Sequence, residues 1–287
     1  MLFVVLSMAG LVVVAALPRQ RENARMAGCR HNLMQIGQAL ALYDRDEGRL
    51  PGVPSLGNSA TGSSPLKALL EAFQVPDLTE LTEDARPPKP RPGFVLGERL
   101  IVGFTCPSDT NARSGIWPAP VSYRACAGDR PDGGNGGFAP GGSLSMADIE
   151  AGDGRSFTAA FAERLTGTGK DGVASLTSYA LVPGPLDDSG CPGATSGRER
   201  GDAGASWLAP GWRSTLYNHA LPPGGQPSCL ADDGRSAFMG ASSGHLSGIN
   251  VLIFDGSVRT VRPTMALPLW KALATVRSLS APAPEPR

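Results

Sequence analysis

The chain begins with a long apolar stretch that limits where the protein can reside. Between Leu2 and Leu17 there is no charged residue, and as a helix these positions would span about 24 Å at 1.5 Å per residue. This length approaches the roughly 20 residues that cross a bilayer, and it exceeds the apolar core of a typical signal peptide, about 7 to 15 residues. The stretch predicts a single-pass membrane anchor over residues 1–17, with a globular domain on the extracytoplasmic side.

A second apolar pattern follows the anchor. After Pro18, apolar residues recur at steps of three and four, which predicts that an amphipathic helix over residues 18–48 continues the anchor. The stripe consists of Met26, Cys29, Leu33, Ile36, Leu40 and Tyr43. Gly48 and Pro51 are expected to end this helix. The arginines near the anchor all follow it, and because basic residues normally stay on the cytoplasmic side, we expect a basic leader before Met1.

The composition predicts many turns and loops in the rest of the chain. Among 287 residues there are 37 glycines and 26 prolines. Together they make up about 22% of the chain, against roughly 12% in average proteins, and this high content argues against a helical bundle. The 26 basic and 26 acidic residues balance. No overall charge therefore attracts nucleic acid, and no nucleic-acid partner is predicted.

One exported globular domain is expected over residues 49–280, followed by a disordered tail over residues 281–287. A helix is expected near the C-terminal end, over residues 267–276. Short runs rich in β-branched and aromatic residues predict strands. These runs are Arg99–Phe104, Val121–Ala125, Arg155–Glu163 and Ser175–Val182.

The clearest local pattern is a β-hairpin. An apolar run over residues 250–254 is followed by the dipeptide Asp255-Gly256 and by a partner strand over residues 257–262. Asp-Gly between two such runs is a strong turn signal, because both residues tolerate a positive φ.

Five cysteines are spread along the chain: Cys29, Cys106, Cys126, Cys191 and Cys229. No two form a C-x-x-C pair and there are only three histidines, so a zinc site is poorly supported and no metal or cofactor is predicted. Disulfides are the expected use of these thiols in an oxidising compartment. Candidate pairs are Cys191 with Cys229 and Cys106 with Cys126, although the spacing leaves the pairing open. Cys29, on the apolar stripe, is expected to be a buried small side chain.

A longer-range pattern spans residues 245–256. His245 is followed by nine residues and then by Asp255-Gly256. This H-X9-DG arrangement resembles the prepilin-type processing-associated signature of the domain-of-unknown-function 1559 family. The amphipathic helix resembles the Asn-Leu-x-Gln-Ile-Gly run of the same family, and further family-like segments lie in order along most of the chain. The matching positions are Asn32, Leu33, Gln35, Ile36, Gly37, Cys106, Asp109, Asp153, Glu163, Tyr217 and His219.

The resemblance implies an α+β fold of the type IV pilin-like class. In that architecture a long N-terminal helix packs on an antiparallel β-sheet, here with long Gly/Pro-rich loops. It also implies export, with the helix contacting the membrane through residues 2–17 and meeting other pilin-like subunits or type II secretion components. Members of the family normally begin with a basic leader, a glycine cleavage point and a Phe-Thr-Leu-Ile-Glu run, and none of these precedes Leu2.

The candidate site residues have a structural and a chemical interpretation. An imidazole and a carboxylate placed together could transfer a proton or bind a cation, which would apply to His245 and Asp255. The structural interpretation is preferred, because Asp255-Gly256 suits a hairpin turn and His245 can fix the loop that enters the strand. A Gly-rich segment over residues 128–137 carries oxygen ligands suited to calcium, but its spacing differs from an EF-hand loop, and a solvated loop is favoured.

The sequence favours a structural role over catalysis. Ser242, Ser243, His219 and His245 could be combined into a nucleophile and a base, but the structural interpretation of these residues is preferred, and no enzyme and no catalytic residue are predicted. The main hypothesis is a pseudopilin-like envelope subunit. The alternatives are a membrane-tethered extracytoplasmic binding module and, with less support, an envelope hydrolase.

Overall fold

In a computed structural model of the chain, one helix, α1 (Leu2–Glu47), covers both N-terminal segments. The structure describes residues 2–57, 62–70, 100–193 and 197–277, and it describes the side chains of α1 from residue 19 onward. The predicted tail over residues 281–287 and the side chains of the predicted anchor lie outside the described residues. In the part that the structure describes, no helix combines the length and the apolar character required for a bilayer crossing.

Helix α1 continues through Pro18 and ends where the sequence predicts. Gly48 follows the helix with a φ of 68°, and its N–H donates to the carbonyl of Asp44 at 2.8 Å. A left-handed glycine at this position closes the last helical turn, because it has no Cβ to clash with the preceding carbonyl.

The described residues contain three further short helices and nine strands. The helices are α2 (Pro65–Ala68), α3 (Met146–Ala151) and α4 (Leu267–Ala272). The strands are β1 (Tyr123–Cys126), β2 (Ala159–Glu163), β3 (Tyr179–Val182), β4 (Glu199–Arg200), β5 (Leu216–Tyr217), β6 (Cys229–Ala231), β7 (Ala237–Phe238), β8 (Ile249–Ile253) and β9 (Val258–Val261).

The strands form two mixed sheets. The first has the order β5-β1-β2-β8-β9 and the second the order β4-β3-β6-β7. Strands β1 and β5 are parallel, as are β3 and β6, and the other pairs are antiparallel. The predicted α+β class is confirmed, but the prediction of an antiparallel sheet is wrong for these two pairs. Each parallel pair joins strands that are distant in sequence, as the long connection of a parallel pair requires.

The predicted stripe of α1 packs against the first sheet, mainly on β8, with further contacts on β2 and β9. Cys29, Leu33, Ile36 and Leu40 are at most 1% exposed. Gly37 lies on the same side, where a Cβ would come within 3.0 Å of the Leu252 side chain. The period of the apolar residues therefore identified the packed face, and the glycine allows the helix to approach the strand closely.

The predicted hairpin is present, with a longer turn than a two-residue Asp-Gly loop. Strands β8 and β9 pair from Ile249 with Val261 to Leu252 with Val258. The Gly256 N–H donates to the carbonyl of Ile253 at 2.9 Å, and Gly256 has a φ of 85°. The turn thus resembles the three-residue type that places a left-handed glycine at its last position.

Other predicted elements differ from the structure in detail. The run over residues 99–104 was predicted to be a strand, but a 3-10 helix occupies Val102–Phe104. The run over residues 155–163 begins as a 3-10 helix, Arg155–Phe157, before it becomes β2. An apolar run alone does not distinguish a strand from another buried conformation.

Candidate functional site

His245 lies at the centre of a buried polar cluster between α1 and the first sheet. It belongs to the loop between β7 and β8, and its side chain is 0% exposed. Its Nδ1 is 2.6 Å from an oxygen of Glu22 on α1. Its Nε2 is 3.4 Å from Oε1 of Glu163 and 3.5 Å from Sγ of Cys106. One imidazole therefore contacts two carboxylates and a sulfur atom.

Glu163 supplies the deeper of the two carboxylates. It is the last residue of β2 and is 2% exposed. Its Oε2 accepts the backbone N–H of Asn250 at 2.9 Å, and its Oε1 accepts the Asn250 side-chain amide at 3.0 Å. A buried carboxylate is tolerated only when its oxygens are paired, and Asn250 together with His245 provides that pairing.

Glu22 supplies the outer carboxylate. Its side chain is 31% exposed, and the hydroxyl of Ser108 lies 3.4 Å from both of its oxygens. The Arg25 guanidinium is 3.8 Å away, one helical turn further along α1. Glu22 thus connects the helix both to the imidazole and to the loop that follows Cys106.

The two carboxylates control the charge of the imidazole. Burial by itself lowers the pKa of His245, but the hydrogen bonds and charges of Glu163 and Glu22 outweigh it, and the pKa is raised above its usual value. When the ring is protonated, it can donate from both nitrogens to negative groups. In its protonated form, with the disulfide formed, His245 is a positive bridge between helix and sheet.

A disulfide borders the same cluster. Cys29 on α1 is bonded to Cys106, whose Sγ is 3.6 Å from Oε1 of Glu163. The expectation that Cys29 is only a small apolar side chain is wrong, and so is the candidate pair of Cys106 with Cys126. Cys126 is a buried free thiol.

The strand geometry explains this correction. Alternate residues of β1 face opposite sides of the sheet, so Ala125 faces the core beneath α1 whereas Cys126 joins a second core beside Trp270. Cys106 lies on the α1 side, where Cys29 is its available partner. Burial raises the pKa of the Cys126 thiol to about 12, which makes it a poor nucleophile.

The second predicted bridge is present. Cys191 is bonded to Cys229 at the start of β6. Cys229 is fully buried in a third core with Ala180, Val182 and Phe238. This bridge ties the connection between β3 and β4 to the start of β6 in the second sheet.

The two ends of the H-X9-DG signature occupy different places. His245 precedes β8, whereas Asp255 and Gly256 follow it in the hairpin turn. The Asp255 carboxylate accepts the Ser257 N–H at 2.9 Å, which is the local bond expected of an Asx turn. The structure therefore does not unite His245 and Asp255 in one site. The partners of His245 are Glu22, Glu163 and Cys106.

Two other predicted groups are engaged elsewhere. In the Gly-rich segment over residues 128–137, the Asn135 amide donates to the Asp129 carboxylate at 2.7 Å. His219 stacks on the Trp270 ring with 3.4 Å between centroids and contacts the Tyr217 hydroxyl. Each group is bonded within its own segment or core.

Sequence reasoning did not predict the roles of Glu22, Asn250 and Cys29. Glu22 lies in a polar run beside other charged residues, and Asn250 lies inside an apolar strand, where a single amide is easily overlooked. The usable signal was Asn250 itself, because an amide in a buried strand requires a polar partner.

The fold and this cluster define a class of α+β protein in which a long N-terminal helix is fixed to a mixed sheet by a disulfide and a buried ionic network. A family profile described as "Protein of unknown function (DUF1559)" matches residues 18–266. The chain therefore belongs to the domain-of-unknown-function 1559 family, as its sequence signature predicted. No curated protein and no solved structure matches the chain.

Proposed function

We propose that this chain is a pseudopilin-like structural subunit of the cell envelope. In this proposal the N-terminal part of α1 anchors the protein in the membrane and associates with other pilin-like subunits of a type II secretion or pilus-like assembly. The globular domain lies outside the cytoplasm, and the protein has no catalytic activity.

One observation carries the proposal: α1 is a single helix whose described residues change from exposed to buried along its length. Cys29, Leu33, Ile36 and Leu40 are buried in the domain, whereas residues 19–21 are exposed. The uncharged residues 2–17 precede this exposed segment in the same helix. An uncharged apolar helical segment continuous with a helix docked on a domain is suited to association with lipid or with the helices of neighbouring subunits.

Membrane attachment is tested by placing a charged residue in the apolar N-terminal part of α1. Val13→Arg is compared with Met34→Arg, because Met34 is an exposed residue of the docked half of α1. After cell fractionation and alkaline washing, wild type and Met34→Arg should remain in the membrane pellet and Val13→Arg should be released. If wild type were released as fully as Val13→Arg, the proposed membrane anchor would be contradicted.

Helix association is tested separately. A photo-crosslinking amino acid at Leu11 should give adducts with other envelope subunits, while the same group at the exposed Leu246 of the globular domain should not. Gly10→Leu and Ala15→Leu should weaken the Leu11 adducts, because small residues allow close helix packing. Membrane attachment without any Leu11 adduct would favour a simple tether.

A cavity supports a second candidate, the tethered binding module. A pocket of about 250 Å³ lies between the second sheet and the loop that precedes β5. Its lining includes Leu181, Trp212, Arg213 and Asp232, which is the mixture of apolar and charged groups expected of a small-molecule site. A thermal-shift screen of amino acids and small sugars tests this candidate. A ligand whose stabilisation disappears in Arg213→Ala would support it.

A further inference from the structure

The His245 cluster contains four side chains that are typical metal ligands. They are Cys29, Cys106, Glu163 and His245, and their ligand atoms lie within 4.8 Å of one another. The four residues come from α1, the segment before β1, β2 and the loop before β8. Because these residues are far apart along the chain, they do not form a short sequence motif.

Three of the measured separations match a tetrahedral zinc site. Cys106 Sγ lies 3.5 Å from Nε2 of His245 and 3.6 Å from Oε1 of Glu163, and these two atoms are 3.4 Å apart. Zinc bonds of about 2.3 Å to sulfur and about 2.0–2.2 Å to nitrogen or oxygen place tetrahedral ligand atoms roughly 3.3–3.8 Å apart. These three atoms could therefore share one ion with little movement.

The ligand set also suits zinc chemically. Two thiolates, an imidazole and a carboxylate are all common zinc ligands, and the thiolates disfavour harder ions such as Mg²⁺ and Ca²⁺. All four residues are at most 7% exposed. In such a dry site, three anionic ligands would be strongly destabilised without a cation.

The surrounding hydrogen bonds orient the ligands. With His245 neutral, its Nδ1–H can donate to Glu22, 2.6 Å away, which leaves the Nε2 lone pair directed at the cluster. Asn250 fixes the Glu163 carboxylate, and the Ser108 N–H donates to Cys106 Sγ at 3.4 Å. A carboxylate behind a ligating histidine is a frequent arrangement in zinc proteins.

We propose that the protein with its Cys29–Cys106 disulfide reduced binds one Zn²⁺ ion through Cys29, Cys106, Glu163 and His245. A dithiol reductant supplies two electrons and two protons, breaks the S–S bond and becomes a disulfide itself. Zinc then displaces the two thiol protons, and the Nε2 proton of His245 where the ring is protonated, into solvent, and takes both thiolates and the imidazole nitrogen as ligands. Either the disulfide or the zinc ion therefore joins α1 to the domain, and the two states exclude each other.

The test uses the full chain, reduced with a phosphine under anaerobic conditions and then freed of metal. Zinc binding is followed by competition with a chromophoric chelator, and Co²⁺ replaces Zn²⁺ to report thiolate ligation through its sulfur-to-metal absorption. We expect one equivalent of zinc per reduced chain and none at this site in the oxidised chain. A reduced chain that binds no zinc would overturn the proposal.

Matched variants locate the site. Cys29→Ala/Cys106→Ala should abolish stoichiometric binding, whereas Cys191→Ala/Cys229→Ala, which removes the other bridge, should keep it. His245→Ala should weaken binding strongly, and His31→Ala, an exposed histidine of α1, should leave it unchanged. Binding lost with Cys191 and Cys229 but kept without Cys29 and Cys106 would overturn the assignment.

A variant that keeps all four ligands tests the site without the risk that removal of a ligand prevents folding. Glu22→Gln keeps all four ligands and the disulfide, so it can be folded in the oxidised state before reduction. Loss of the carboxylate behind His245 should lower the zinc affinity about 10- to 100-fold while the cobalt complex keeps its thiolate absorption. An unchanged affinity would contradict the assigned role of Glu22 as the positioning residue.

Discussion

Asn250 donates twice to one carboxylate, from its backbone N–H at 2.9 Å and from its side-chain amide at 3.0 Å, and the acceptor is Glu163. Asn250→Ala removes the second bond and leaves a buried Glu163 oxygen with fewer partners. We expect a loss of about 1 to 3 kcal/mol in the free energy of unfolding, measured by urea denaturation. Asn250→Asp should cost more at pH 7, because it places two carboxylates together.

The control for that prediction is Thr260→Val. It removes the hydroxyl that donates to Asn250 Oδ1 at 2.8 Å but leaves both bonds to Glu163 intact. A cost of about 1 kcal/mol or less is expected. If Asn250→Ala is no more costly than Thr260→Val, the amide does not sustain the buried carboxylate.

The two disulfides should contribute differently to local stability. The cysteines of the Cys29–Cys106 bridge are 77 positions apart and those of Cys191–Cys229 are 38 apart. Replacing either pair by alanine should cost about 2 to 5 kcal/mol, with the longer loop costing slightly more. Hydrogen exchange over residues 29–40 should accelerate only when Cys29 and Cys106 are replaced. Equal acceleration in both variants would show that neither bridge fixes α1 specifically.

The buried stripe of α1 predicts that substitutions at two adjacent residues will differ strongly in their effect on the free energy of unfolding. Leu33 is 0% exposed and Met34 is 42% exposed. Leu33→Ala should reduce the free energy of unfolding by about 2 to 5 kcal/mol because it leaves a cavity against the sheet. Met34→Ala should change it by about 0.5 kcal/mol or less. Similar costs in chemical denaturation would mean that the helix is docked in another orientation.

His219 predicts acid sensitivity of the fold. Burial lowers its pKa from 6.5 to about 3, although the Trp270 carbonyl opposes this shift. Above pH 6.5 the ring is neutral in both the folded and the unfolded chain, so it adds no pH dependence. As the pH falls from 6.5 towards 3, only the unfolded chain takes up the proton, and stability decreases by up to about 1.4 kcal/mol per pH unit.

The measurement is the urea midpoint between pH 7 and pH 4 for wild type and His219→Gln. The variant should be less stable at pH 7, because it loses stacking on Trp270, but its stability should fall less steeply with acid. Parallel curves for the two proteins would show that another group governs this pH range.

Local patterns in the sequence predicted the local parts of the fold. The apolar period of α1 identified Leu33, Ile36 and Leu40 as its packed face, because a helix returns to the same side every three or four residues. The hairpin was equally readable from Asp255-Gly256 between two strand-like runs. In both cases the interacting residues are close along the chain.

The remaining features depend on residues that are far apart along the chain. The parallel pairs β1–β5 and β3–β6 join distant strands, and no periodicity specifies which strands become neighbours. The same applies to the site: His245 was singled out, but Glu22 and Cys29 reach it only because α1 lies across β8. The pairing of Cys106 followed from which face of the sheet each cysteine occupies, and that requires the fold.

The position of the first disulfide has a mechanical consequence. Cys29 precedes Leu33, Ile36 and Leu40 along α1, so tension applied at the N-terminal end of the helix reaches the sulfur bridge before it reaches these three packed side chains. The load then passes through a covalent bond into the segment before β1, and the packed side chains behind it are shielded from shear. Reduction in the absence of zinc would transfer the same load to non-covalent contacts, which yield at far lower force. The Cys29–Cys106 bond therefore determines whether α1 resists a pulling force through a covalent link or only through its packing against the sheet.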